Sequence, residues 1–256
     1  MNPGPEARRR LRLEMLVVLG ISLGQSAVYA LLSLINKLTQ EVALNRQTTS
    51  INASKTPDRP WLDLAYQVAN LVFPLVPVAL VLYLLWVYQR PHGGPLRSMG
   101  FDLRRPGFDL ALGSAVFVGI GAGGLVLYYA SRELGYNTSV SPANLAAAWW
   151  TVPMLLLLAV KNAVLEEVVM VGYLFTRWRQ SGGGVVAVLA GSALIRGAYH
   201  LYQGFGGFVG NVVMGLLFGW LYLRTRRVMP LVVVHSLLDI FAFVGYALLK
   251  PHIPWL

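Results

Sequence analysis

Seven ionisable side chains, Lys161, Glu166, Glu167, Arg196, His200, His235 and Asp239, stand inside stretches of this chain that are otherwise apolar enough to cross a membrane. A charge at mid-bilayer costs a few kcal/mol even on lenient insertion scales, so such residues face one another or a wet cavity and mark function. Their types suit the activation of water. A low-dielectric site disfavours the charged form of a carboxylate, which can then take a proton from water and hand it on near neutral pH. Histidine adds proton transfer or a donor to a developing oxyanion, and an asparagine such as Asn211 adds a neutral donor. The same groups also meet the requirements of zinc, with Glu166, His200 and His235 as a His2Glu set carrying a bound water.

Spacing gives these groups direction, because helix residues three or four apart share a face. His235 and Asp239 are so spaced, and the carboxylate can orient the imidazole or join it in lining one cavity. Arg196 and His200 are likewise one turn apart, with Gln203 beyond them, and Asn162 lies one turn before Glu166. Adjacent Glu166 and Glu167 diverge by about 100° on an α-helix, which assigns one to chemistry and the other to support. A rise of about 1.5 Å per residue, counted from the inner helix ends, places Glu166 and Asp239 about 16 Å deep, Asn211 about 18 Å and His235 about 10 Å. His200 comes out deeper, on the order of 24 Å. Four of the five therefore share a level in the inner half of the membrane, and His200 is the outlier.

Other chemistries lack their parts. The chain has no cysteine, which excludes disulfides, thiolate metal ligands and a cysteine nucleophile. Neither a G-x-S-G nor an H-E-x-x-H motif occurs, and Asp239 is the only aspartate well inside a span, so a two-aspartate site cannot be built. Intramembrane polar groups also serve as interhelical hydrogen bonds or as a proton path. A small proton-coupled transporter is the alternative from another class; such folds often show inverted repeats, and this sequence shows none. Lys161 is read as pairing with a helix neighbour or a carbonyl, and Tyr199, Tyr202 and Gln203 as packing beside His200.

The elements that position these residues follow from composition. Of 256 residues, 56% are hydrophobic and 12% charged, against about 25% charged in a soluble domain. The expected fold is all-α: a polytopic integral membrane protein of about seven transmembrane helices. Apolar runs at 15–36, 65–88, 109–130, 147–176, 185–204, 207–223 and 228–249 are long enough to cross the roughly 30 Å of hydrocarbon. The chain thus divides into a basic cytoplasmic N-terminus (1–14), three N-terminal helices (15–130) and a four-helix core (147–249). The first run follows Arg8, Arg9, Arg10 and Arg12 and reads as a retained signal anchor, since no small-x-small cleavage site follows it. Pro74 and Pro77 are expected to kink the second run, segment 37–61 reads as a polar external loop, and the glycines from Gly204 to Gly210 permit a tight turn.

A net charge of +10 raises nucleic acid as a partner, but the basic residues form short clusters between apolar runs rather than one patch. No nucleic-acid binding is expected. The N-terminus, the 89–108 loop and the 177–184 and 224–227 turns hold thirteen basic residues, Arg90 among them; the opposite side holds six, including Lys37 and Lys250. This asymmetry predicts an N-terminus inside and a C-terminus outside; the expected location is a bacterial plasma membrane, with the N-terminus cytoplasmic.

The succession Glu166-Glu167-x-x-x-Val171, Arg196-x-x-x-His200, Asn211 and His235-x-x-x-Asp239 resembles the CPBP family of CAAX-processing and bacteriocin-processing intramembrane proteases, whose pattern is E-E-x-x-x-R, F-x-x-x-H, Asn and H-x-x-x-N/D. The resemblance covers roughly 150–245, with one motif per helix in the right order. It implies a four-helix protease core and an endopeptidase acting on a membrane-embedded or lipid-linked peptide. It also implies that Glu166 activates water with His200, that His235 and Asp239 shape the oxyanion site with Asn211, and that Glu167 supports the cluster. The cofactor it implies is either zinc or none, the water being activated by glutamate alone. Two positions depart from the pattern. Val171 stands where the family keeps arginine, and Arg196 where it keeps an aromatic residue. One expectation is that Arg196 supplies the counter-charge that position 171 does not; the other is a catalytically weakened scaffold or immunity protein.

Overall fold

The structure is a computed structural model that describes residues 4–89 and 93–249; Arg90 and Lys250 of the charge pattern lie outside the described residues. Among the described residues, eleven α-helices are arranged in chain order: α1 (Pro5–Gly20), α2 (Leu23–Leu38), α3 (Pro60–Val72), α4 (Val76–Gln89), α5 (Gly94–Ser98), α6 (Pro106–Glu133), α7 (Thr151–Glu166), α8 (Leu174–Gln180), α9 (Val185–Ala198), α10 (Phe205–Thr225) and α11 (Met229–Leu249). Two three-residue strands, β1 (Thr48–Ser50) and β2 (Ser139–Ser141), pair in parallel. The protein is thus an all-α polytopic membrane protein.

By length and composition, five helical spans among the described residues are apolar enough to cross a membrane: Pro60–Val87, α6, Val185–Gln203, α10 and α11. The first expected span is a pair, α1 and α2, bent by 50°, and counting it as one crossing makes six. The expected 147–176 span is the helix that runs from α7 through α8, and it carries Lys161, Glu166 and Glu167 in its middle. Pro74 falls in a 3-10 turn, Phe73–Leu75, between α3 and α4, where the missing amide of proline loosens the helical ladder.

Two polar ends bracket the bundle. At one, the buried Arg177 donates to Glu14 of α1 at 2.8 Å. Arg227 donates both Nε and Nη2 to Asp109 of α6, at 2.7 and 2.6 Å, and Nη2 also reaches Asp102. The N-terminus, the 93–105 segment and the turns after α8 and α10 therefore share one face, the four segments that carry the basic excess. At the other end the 37–61 loop is a folded cap rather than a free loop. β1 pairs with β2, Asp63 accepts the backbone amide of Lys55 at 2.7 Å, and Lys37 donates to the carbonyl of Tyr202 at 2.6 Å and to the Thr49 hydroxyl.

The main apolar core lies around residues 168–175 and draws on Val18, Val81, Leu85, Met99, Phe218 and Leu231. Here the helix leaves α geometry, and Glu167–Tyr173 winds as a π-helix whose seven residues are all buried. Such wide turns are rare and recur at functional sites. This one begins between the two glutamates.

The α9–α10 crossing is close because glycine sits on it. A β-carbon at Gly215 would lie 2.8 Å from the Cα of Ala193 and 3.3 Å from Cδ of Arg196. Alanine in a helix interior gains about 1 kcal/mol over glycine in propensity, but the obstructing atom is backbone and cannot swing aside. Gly215→Ala is therefore expected to lower stability by roughly 1–2 kcal/mol net. Thermal unfolding in detergent checks this, and an unchanged or raised midpoint contradicts it.

Candidate active site

Glu166 closes α7 and Glu167 opens the π turn, so one helix delivers both carboxylates. Their surroundings differ. Glu167 is fully buried: its Oε1 accepts Arg196 Nη2 at 2.6 Å and lies 2.7 Å from Nδ1 of His235. Glu166 is 9% exposed. Its Oε2 accepts the Tyr199 hydroxyl at 2.7 Å and lies 3.4 Å from Arg196 Nη1, while its Oε1 carries no hydrogen bond from the described residues. Arg196, itself 1% exposed, thus touches both carboxylates from α9, and its guanidinium lies 5.2 Å over the ring of Phe218 of α10. The 100° divergence does not send the glutamates to separate places, because the guanidinium is wide enough to meet both.

His235, four residues before Asp239 on α11, completes the cluster. With Nδ1 against Glu167, its Nε2 lies 3.9 Å from Asp239 Oδ1. Asp239 Oδ2 in turn accepts Asn162 Nδ2 at 3.0 Å, and Asn162 Oδ1 accepts Lys161 Nζ. Asn162 therefore serves Asp239 across the α7–α11 interface rather than its neighbour Glu166.

His200 and Asn211 sit differently from the other expected site residues. α9 ends at Ala198, so His200 lies beyond the helix, with Nδ1 3.0 Å from the carbonyl of Arg196 and its ring between Tyr199 and Tyr202. It remains in electrostatic range of Glu166 and His235. Asn211 donates to the carbonyl of Gly207 on its own helix at 2.9 Å. It lines a lateral groove of about 260 Å³ with Gly210, Met214 and Leu238.

For a metal, the group with ligand spacing among the described residues is Glu166, Glu167 and His235, with atoms within 4.8 Å of one another. Glu167 takes the place expected for His200 in this group. By number, the three donors plus a water match a catalytic zinc. Glu167 Oε2 is buried with no hydrogen-bond partner among the described residues and is available as a ligand atom. The charge balance is less suited: Arg196 already bridges both carboxylates, and His235 Nδ1 is already engaged by Glu167.

Tyr199 and Asn162 were not assigned to the site from sequence, yet both bond its carboxylates directly. The available signals were the adjacency of Tyr199 to His200 and the one-turn spacing of Asn162 from Glu166. Val171, at the family's arginine position, is 2% exposed in the apolar core.

A buried Glu–Arg–Glu–His cluster thus stands at the junction of α7, α9, α10 and α11. Residues 148–241 match the family model described as type II CAAX prenyl endopeptidase Rce1-like. That stretch contains the whole cluster, and over it the chain is similar to the CAAX-protease (CPBP) family. No curated protein and no solved structure matches the chain.

Proposed function

We propose that this protein is an intramembrane endopeptidase that hydrolyses a membrane-embedded or lipid-linked peptide with water activated by Glu166. The observation that carries the reading is the asymmetry of the two carboxylates. Glu167 is sealed between Arg196 and His235, whereas Glu166 keeps a free oxygen on the more open side. In the reaction Glu166 takes a proton from water as the water oxygen bonds to the scissile carbonyl carbon. It then returns that proton to the leaving amine as the C–N bond breaks. Tyr199 and Arg196 hold the carboxylate in place, and His200, in electrostatic range of Glu166, assists at the same water. His235, oriented by Glu167 and Asp239, donates toward the developing oxyanion, with Asn211 as a further donor. The basic face of the bundle is cytoplasmic in this reading.

Clustering of the carboxylates at one level, rather than along a trans-bilayer path, favours hydrolysis over proton-coupled transport. The test is a comparison of membrane-protein termini in cells carrying the wild type or Glu166→Ala. Termini present only with the wild type are expected; identical sets would favour a non-catalytic scaffold, the reading that Val171 supports.

Were zinc to bind, Glu166, Glu167 and His235 would hold it, and it would supply a Lewis acid and a more acidic water. The guanidinium already neutralises those carboxylates, so we favour activation by glutamate alone. Peptide cleavage by the purified protein is accordingly expected to persist unchanged after dialysis against 1,10-phenanthroline. Loss of cleavage that zinc restores would reverse this assignment.

A further inference from the structure

Lys161 is the one intramembrane charge that the reaction above leaves without a task, and its surroundings supply one. Nζ donates to Oδ1 of the neighbouring Asn162 at 2.5 Å, and Asn162 Nδ2 donates to Asp239 Oδ2 at 3.0 Å. The other oxygen of Asp239 lies 3.9 Å from Nε2 of His235, the ring nitrogen that Glu167 leaves free. An ammonium can only donate hydrogen bonds, and an ionised carboxylate can only accept them. A primary amide placed between the two has one satisfied orientation: oxygen toward Lys161, nitrogen toward Asp239. If the amide flipped, its NH2 would face the ammonium and its oxygen would face the carboxylate.

We propose that Lys161 and Asn162 form a polarity lock that fixes the Asp239 carboxylate beside His235, making both of them positioning residues for the reaction proposed above. The lock spans α7 and α11, the two helices that bring Glu166, Glu167, His235 and Asp239 together. Asp239 is only partly buried and bonds to no other described residue through Oδ2. Without the amide its carboxylate is free to rotate away from Nε2. Lys161 acts at one remove, by forbidding the amide orientation that would repel Asp239.

The inference rests on the protease reading for its catalytic consequence but not for its geometry, and two measurements separate them. The first needs no substrate. Asn162→Asp places two carboxylates together and Asp239→Asn two amides, while the double variant restores one donor and one acceptor with the polarity reversed. Each single variant is expected to lower the thermal midpoint in detergent, and the double to recover most of the loss. A double variant no more stable than the worse single overturns the lock. The second reads position. In Lys161→Met, the 15N resonances of the His235 ring are expected to shift and kcat to fall roughly tenfold or more, as for a misplaced catalytic group, with KM unchanged. Lys161→Arg, which also only donates, is expected to keep both near wild type. His235 resonances unmoved in Lys161→Met overturn the positioning role. If the wild type cleaves no peptide, the protease reading falls while the swap and the resonances still decide the lock.

Discussion

Glu166→Gln is expected to lower peptide turnover by roughly 10²- to 10⁴-fold, the usual contribution of a general base, with KM little changed. The fold should survive, because glutamine keeps the shape of the side chain and can still accept the Tyr199 hydroxyl through its amide oxygen. The matching substitution next door has a different signature. Glu167→Gln leaves the buried Arg196 facing a neutral amide in place of its 2.6 Å carboxylate partner and weakens the anchor of His235. Its expected effect is a marked loss of stability as well as of activity. Steady-state cleavage of a reporter peptide, read beside thermal unfolding of the same preparations, separates the two. If Glu167→Gln proves the catalytically dead but stable variant, the roles assigned to the glutamates are reversed.

Arg196→Gln should be the most disruptive single change in the core. Removing one partner of a buried ion pair costs about 3–5 kcal/mol, because the charge left behind has neither water nor a counter-ion. Here two carboxylates are left behind. The variant should unfold at markedly lower temperature and lose turnover in proportion. Arg196→Lys should fall between, since an ammonium is a point donor and cannot span both carboxylates as the planar fork does. The complementary experiment is Val171→Arg. Position 171 lies in the apolar core, and a second guanidinium there meets a site already neutralised from α9. That substitution is expected to lower stability without raising turnover. A Val171→Arg protein that cleaves faster than wild type would falsify the claim that Arg196 has taken over the missing arginine's work.

Much of this arrangement was legible in the sequence, for definite reasons. Hydropathy located the apolar spans because backbone groups in lipid must be satisfied within helices, which forces long runs. The basic clusters marked one face, and the contacts of Arg177 with Glu14 and of Arg227 with Asp109 place those segments together. With Val171 at the family's arginine position, one of two expectations was that Arg196 supplies the counter-charge, and its guanidinium reaches both glutamates. What was not legible depends on departures from ideal helices. The π turn after Glu166 and the end of α9 before His200 both break the uniform 1.5 Å and 100° bookkeeping from which depth and facing were derived. The partners of Asn162 and Tyr199 are contacts between helices, 77 and 33 residues apart in sequence, with no periodic trace. The cap likewise pairs residues about 90 positions apart, Thr48 with Ser139, which a local reading of a polar loop does not anticipate.

The source of the arginine also bears on how the protein is made. Were the cation one turn after Glu167, a single helix would enter the bilayer already neutral. Here Arg196 follows Glu167 by 29 residues and belongs to a later helix. A nascent chain that has released α7 but not α9 therefore presents two glutamates with no guanidinium, at a cost of a few kcal/mol for each ionised group in the membrane. Insertion of the α7 segment is thereby tied to synthesis of α9. A chain truncated before Arg196 should integrate poorly and be cleared by the cell's proteases, so the residue that steadies the finished site also acts as a checkpoint on its biogenesis.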